Sequence, residues 1–476
     1  PNLLIFVGNQ QQMATEKSNT STAQLDFSTF QQQVLNDYQL ACESREASLL
    51  GRKEVLTGKA KFGIFGDGKE LAQIALAKQF RNGDFRSGYY RDQTLMLAID
   101  ALTLEQYFSG LYAHTDHHVE PQSAGRQMGG HYATRNLDEQ GHWKNLMEQK
   151  NSSSDISPTG GQMPRLLGLA QASKVYREHP TLKELEAFKK FSAGGNEVAF
   201  GTIGDASTSE GPFWETMNAA GVLQVPLVMS VWDDGYGISV PRELQTTKGS
   251  ISDALSGFQR NEKQKGFEIL ITKGWDYAHL CETYERAVQI ARMEHVPVLV
   301  HVKEVNQPQG HSTSGSHERY KSEQRLQWET EFDCIAKFRE WILSFGQKGL
   351  VLATEEQLDE IAARAKETVK NAKSNAWKAF TNDISQDKDS LLQILSGYEN
   401  THPNYSLVKE IQQQLLKEKE SIRRDLMGYA RTILRNSLSD NSPQRNKLGA
   451  WVKEIQLKAQ DRYSSHLYSQ SEESVA

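Results

Sequence analysis

The 476-residue sequence predicts an α/β domain built on a largely parallel sheet flanked by helices, followed by a C-terminal α-helical appendage. Two observations predict this. Short β-rich runs at 198–203, 226–231, 267–271 and 298–302 alternate with helical patterns at 213–223 and 276–294. Strand and helix alternating at that pitch demand parallel pairing with helices on both faces. From about residue 331 the strand signal stops and amphipathic, charge-laced helical periodicity replaces it.

Taken in order, residues 1–27 read as a polar, disordered extension, with a glutamine run at 10–12 ahead of Met13. From Ser28 the spacing of Phe30, Val34, Leu35 and Tyr38 predicts a helix capped by Ser28 or Thr29. Leu71, Ile74 and Ala75 predict another, and Leu95, Ile99 and Leu102 a third. The stretch 113–157 is rich in Gly, His, Asn and Ser, and connections of that length in compact domains usually carry function. Asp276 is placed to cap the 276–294 helix. Thr354 and Gln357 form a capping box ahead of Leu358, Ile361, Ala362, Ala365 and Val369. The helical signal breaks around 437–443. The expected division is therefore an extension over 1–27, the α/β domain over 28–330, a helical connector over 331–463 and a flexible tail over 464–476.

Charge and cysteine usage narrow the function classes. With 54 Lys+Arg against 60 Asp+Glu the chain carries −6, which argues against wrapping nucleic acid as its main task. Mean hydropathy is −0.61, no apolar run reaches 18 residues, and the apolar stretch 3–7 lacks the length and basic leader of a signal peptide. Cys42, Cys281 and Cys334 lie far apart, without metal-ligand or disulfide spacing, which predicts a reducing, cytoplasmic setting.

In parallel sheets ligands sit beyond the carboxyl ends of the strands, and the unusual residues of this sequence fall there. Gly204-Asp205-Ala206-Ser207 follows one run, and Asp233-Asp234-Gly235-Tyr236 follows the next. Each alone reads as a turn, since Asp bonds its own backbone and Gly accepts positive φ. Together they bring Asp205 and Asp234 to neighbouring strand tips, an arrangement that is costly without a cation between them. Hard oxygen ligands suit magnesium on a diphosphate, and the N–H groups of Ala206 and Ser207 are placed to face phosphate oxygens. A second glycine-rich segment, Gly63 to Glu70, mimics a nucleotide-binding loop through Lys69. It carries Glu70 where a magnesium-holding hydroxyl belongs, and no β-rich run precedes it, so it reads as a loop entering a helix.

The pair Gly-Asp and Asp-Asp, with Asp205 and Asp234 separated by 29 residues, resembles the thiamine-diphosphate fingerprint. More specifically, Gly-Asp-Ala-Ser-Thr-Ser-Glu-Gly (204–211) and Asp-Gly-Tyr-Gly-Ile-Ser-Val-Pro (234–241) resemble the α subunit of the decarboxylating component of 2-oxo acid dehydrogenases. Tyr90-Arg91-Asp92, Gly125-Arg-Gln-Met128 with His131-Tyr132, Ser157-Pro158, and Gly310-His-Ser-Thr-Ser314 occur in that family's order, so the resemblance spans roughly 45–330.

The resemblance implies a thiamine-diphosphate-binding domain using thiamine diphosphate and magnesium (Mg). By it, Asp205 and Asp234 hold the metal through side chains and Tyr236 through its carbonyl. Tyr90 and Arg91 contact the diphosphate, while Ser157 and Thr159 lie near the aminopyrimidine. Gly204, Ala206 and Ser207 line the cofactor, and His311 is the active-site histidine. It also implies decarboxylation of a 2-oxo acid, branched-chain favoured, and transfer of the acyl group to the lipoyl group of an acyltransferase component. The cofactor then lies between this chain and a β half, without which the chain is inactive, in a likewise oligomeric enzyme.

The alternatives are a pyruvate- or acetoin-specific relative and an inactive helical scaffold. Four positions depart from the family pattern: Asp234 for Asn, Ala206 for Gly, and Trp232 and Gln307 each for Arg. Ser312 and Ser314 lie on the loop that is phosphorylated in animal relatives, and no such regulation is expected here.

Overall fold

The computed structural model describes residues 26–312, 317–418 and 420–464. Residues 1–25 of the expected extension, 465–476 of the expected tail, and Ser314 lie outside them. Among the described residues eight strands form: β1 (Phe85–Ser87), β2 (Asn151–Ser152), β3 (Ala199–Gly204), β4 (Leu227–Trp232), β5 (Tyr236–Gly237), β6 (Val240–Pro241), β7 (Glu268–Lys273) and β8 (Val298–Lys303). Six make one sheet in the order β2-β1-β3-β4-β8-β7, every pairing parallel, and β5 and β6 form a small antiparallel hairpin. The α/β class and parallel sheet stand. The two shortest strands, β1 and β2, are too brief to show any period-2 signal.

Alternation along the central strands explains why both faces are covered. Val228 and Trp232 of β4 join one apolar cluster with Val298, Val300 and Val302 of β8. Leu227, Met229 and Val231 join the other with Ala199 and Ile203 of β3. Helices Glu70–Ala77 and Tyr277–Gln289 supply the first cluster, Met163–Glu178 and Gly211–Leu223 the second.

Several helix signals differ in detail. The first helix, Phe27–Leu56, is capped by Asp26, whose carboxylate accepts from the Thr29 N–H at 2.9 Å, instead of by Ser28 or Thr29. Of the expected 95–102 helix only the start forms, as Gln93–Ala98 with Ile99 at its C-cap; Asp100 then takes φ of 58°, and a separate helix, Leu104–Leu111, begins beyond Leu102. Asp276 caps its helix as expected, and that helix closes with a π turn over Ile290–Glu294.

The helical region is less separate than its sequence suggests. The capping box at Thr354 and Gln357 opens a 42-residue helix, Glu355–Ser396. At 1.5 Å per residue this runs about 63 Å. Its first half buries Leu358, Ile361, Val369 and Ala376 in the core shared with the sheet domain. Its second half buries Ile384, Leu391 and Leu395 in a third core with Leu426, Trp451 and Ile455. The cores thus divide near residue 380, not at 330. Apolar periodicity looks the same whichever partner covers it.

No helix among the described residues is long and apolar enough to cross a membrane. The three cysteines are free. Burial pushes the thiol of Cys42 up to about 11 and that of Cys281 up to about 12. Because the thiolate is the reactive form, a disulfide-exchange reagent at pH 8 is expected to label the native chain slowly. Three thiols should appear promptly in urea, and rapid labelling of the native chain would contradict this burial.

Candidate functional site

Gly204 pairs with Trp232 at the ends of β3 and β4, so Asp205 and Asp233-Asp234 leave the sheet side by side. The Asp205 N–H donates to the Trp232 carbonyl at 3.2 Å, and the Asp233 N–H donates to the Val302 carbonyl of β8 at 2.9 Å. Three adjacent strand tips therefore meet at one point.

The three carboxylates there have different fates. Asp233 is fully engaged: His301 Nε2 lies at 2.9 Å, Arg242 at 3.1 Å, and the Gly235 N–H donates at 3.0 Å. Burial pushes its carboxyl up, but His301 and then Arg242 outweigh that and hold it below the ordinary range. Asp234 lies 3.2 Å from His311 Nε2 and 3.4 Å from Lys69 Nζ, and accepts from the Tyr236 N–H at 3.2 Å. Burial again acts upward, and His311 and Lys69 overcome it, holding Asp234 well below the usual carboxylate range. Asp205 is 5% exposed, and its Oδ2 has no hydrogen-bond partner among the described residues. Burial first, then repulsion from Asp234 and Asp233, raises its carboxyl well above the ordinary value.

Arg91 joins the site through the His311 segment. It is buried, its Nη2 donates to the His311 carbonyl at 2.7 Å, and its Nε has no partner among the described residues. His311 Nδ1 is likewise buried and unpartnered among them. Buried polar atoms are normally paired. An unpaired carboxylate oxygen, a guanidinium with a spare donor and an imidazole with a spare nitrogen fit a hard divalent cation carrying a phosphate-bearing ligand. Beside Asp233 and Asp234 opens a cavity of about 500 Å³, lined also by Arg242, Lys303, Arg325 and Trp328.

The remaining predicted residues are placed as follows. Tyr90 lies beneath the Arg91 guanidinium at 5.0 Å from its ring centre. Ser157 and Thr159 are exposed on the turn before helix Met163–Glu178, with Ser157 Oγ 3.1 Å from His131 Nε2 and the His131 ring 6.4 Å from that of Tyr90. Gly204 ends β3, while Ala206 and Ser207 sit in a short 3₁₀ turn, Ala206–Ser209. They do not open the following helix, which starts at Gly211. Tyr236 begins β5. The backbone before it is held by Arg325, which donates to the Asp234 carbonyl at 2.7 Å and lies 5.4 Å from the Tyr236 ring.

Lys69 was missed. Its segment, read as a mere loop, delivers a buried ammonium to Asp234. The available signal was glycine spacing. A Cβ at Gly66 would lie 2.4 Å from the Arg91 carbonyl oxygen, and one at Gly68, where φ is +87°, would lie 2.1 Å from that of Asn306. Only glycines let this turn wedge between the two site segments.

A family model described as dehydrogenase E1 component matches residues 48–385. The chain is 26% identical over 326 residues to the 2-oxoisovalerate dehydrogenase subunit alpha of Bacillus subtilis (strain 168), covering 68% of this chain and 85% of that one. To the mitochondrial subunit of the same name from Homo sapiens it is 23% identical over 382 residues, 78% of this chain and 69% of that one. To the pyruvate dehydrogenase E1 component subunit alpha of Staphylococcus epidermidis (strain ATCC 12228 / FDA PCI 1200) it is 28% identical over 242 residues, 49% and 58% of the two chains. With the match running through every strand of the parallel sheet and both acidic tips, the chain belongs to the dehydrogenase E1 component family, as a 2-oxo acid dehydrogenase component of α-subunit type.

Proposed function

We propose that this chain binds thiamine diphosphate and magnesium and, with a β half, decarboxylates a 2-oxo acid and acylates the lipoyl group of an acyltransferase component. The observation that carries this reading is the buried Asp205 oxygen, without a partner among the described residues, on a strand tip adjacent to that of Asp234. Asp205 and Asp234 hold the metal through their side chains and Tyr236 through its carbonyl. Arg91, with Tyr90 beneath it, binds the diphosphate, and Ser157 and Thr159 border the aminopyrimidine end. Bound there, thiamine diphosphate supplies the nucleophilic carbon and electron sink that loss of carbon dioxide requires. His311 holds a proton at the reacting end: Asp234 orients its Nε2, leaving Nδ1 to donate or accept. We place the enzyme in a reducing, cytoplasmic setting, which its free thiols support, and favour branched-chain substrates, in line with the names of the Bacillus and human relatives.

Calorimetric titration with thiamine diphosphate tests the core of this reading, and heat of binding is expected only with magnesium present. Reconstituted with a β half, the enzyme should decarboxylate 3-methyl-2-oxobutanoate faster than pyruvate, and the reverse order would reassign the substrate. His311→Ala is expected to slow reductive acylation of lipoyl substrate about 10²–10⁴-fold. Turnover by the chain alone would refute the need for a β half.

A further inference from the structure

Lys69 is 2% exposed and its ammonium has three acceptors. Gln307 Oε1 lies at 2.7 Å, while Asp234 Oδ2 at 3.4 Å and the Asn306 carbonyl at 3.5 Å are at the limit of hydrogen bonding. The Gln307 amide cannot face the other way. Its Nε2 donates to Asp67 Oδ1 at 2.9 Å and to the Phe65 carbonyl at 3.2 Å, so its oxygen is left for Lys69. Asp67 is itself fixed by the Gln309 N–H at 2.9 Å. Behind the ammonium, Glu70 accepts from Arg45 at 2.7 Å and from the Gly68 N–H at 2.9 Å, anchoring the turn. One short bond therefore aims the ammonium, and two loose ones leave its charge available.

Charge at the strand tips calls for such a group. Asp205 and Asp234 are both buried, and Arg242, the cation nearest Asp233, is taken by that residue. Arg325 is held by Glu329 at 2.8 Å. Trp232 is packed in the core and Gln307 is neutral. Among the described residues, the basic side chains in contact with Asp234 are then the His311 imidazole at 3.2 Å and the buried Lys69 ammonium at 3.4 Å.

We propose that Lys69 is a resident cation of this site: it compensates Asp234 in the unliganded chain and, once ligand is bound, supplies positive charge toward the diphosphate. The first half rests on the geometry alone and the second on the thiamine diphosphate reading above. An asparagine at 234 keeps an oxygen for the metal, so removing both charges together separates the two roles.

The test compares Lys69→Met, Asp234→Asn and the double variant of the full chain, by thermal melting without ligand and by calorimetry with thiamine diphosphate plus magnesium. Each single variant is expected to melt several degrees below the parent, and the double to recover at least half of the combined loss. If Lys69→Met fails to fold while the double variant folds, the pairing is upheld. Additive losses, or a double variant that fails to fold where Asp234→Asn folds, overturn it. Affinity should fall at least tenfold in Lys69→Met and stay at least tenfold below the parent in the double variant. A double variant binding as tightly as the parent overturns the role toward the diphosphate. A parent that binds no thiamine diphosphate, with the melting recovery intact, overturns the cofactor reading and leaves the pairing standing.

Discussion

Replacing Asp205 by Asn is expected to stabilise the unliganded chain by about 1–3 kcal/mol near pH 8, by removing a buried carboxylate charge that is desolvated and repelled by Asp234 and Asp233, while weakening magnesium-dependent binding of thiamine diphosphate on the order of 100-fold through loss of a charged ligand. The two effects have one cause. The Asp205 oxygen is buried without a partner among the described residues and faces Asp234 and Asp233. Folded, the carboxyl holds its proton more tightly than its ordinary value of 3.8 allows in the unfolded chain. Its contribution to stability is therefore whole below that pH and declines as pH rises through the folded value. The gain in Asp205→Asn should accordingly be small near pH 4 and grow toward pH 8. Adding ligand at 100 times its dissociation constant should stabilise the parent by about 2.7 kcal/mol and the variant far less. Melting curves across pH, with and without ligand, check both statements. A variant less stable than the parent at pH 8 would show that Asp205 is a structural acid.

Arg86→Met is expected to cost about 3–5 kcal/mol, because it strips the cation from two buried carboxylates. Arg86 is fully buried on β1, between Asp92 at 2.7 Å and Asp155 at 3.0 Å. It also donates to Ser152 Oγ at 2.8 Å and to the Tyr89 carbonyl at 3.0 Å. Asp92 accepts from Thr202 of β3, and Asp155 accepts from the Tyr132 N–H at 3.0 Å. The guanidinium thus ties β1, β2 and β3 to the turn that carries Tyr90 and Arg91. Arg86→Lys should rescue little, since an ammonium cannot bridge both carboxylates in the planar, forked manner of arginine. Urea denaturation reads the loss directly, and a drop in ligand affinity should accompany it as the Arg91 turn loosens. A loss below about 1 kcal/mol would show that the triad is already compensated elsewhere.

How much of this was legible beforehand differs from element to element. The four long strands, the Asp276 cap, the Thr354 capping box and the break before Pro443 are local facts, set by side-chain period and by bonds spanning three or four residues. The acidic tips were equally readable, since parallel order sends both loops to one edge of the sheet. Other features depend on contacts hundreds of residues apart in sequence. Lys69 meets Gln307 across 238 positions, and Arg292 pairs with Asp84 across 208. No local pattern distinguishes a solvated lysine from one held at a carboxylate.

Sequence alone, then, determined the α/β class, the parallel strand succession and the pair of aspartates, because backbone geometry and short-range capping suffice for each. Only the tertiary structure decided which of three neighbouring carboxylates is spent on the scaffold, which is left bare, and which cation answers them. It also decided that the long helix bridges two cores. The physical reason is shared: burial and charge pairing are properties of the packed interior, and a residue's own neighbours in the chain do not carry them.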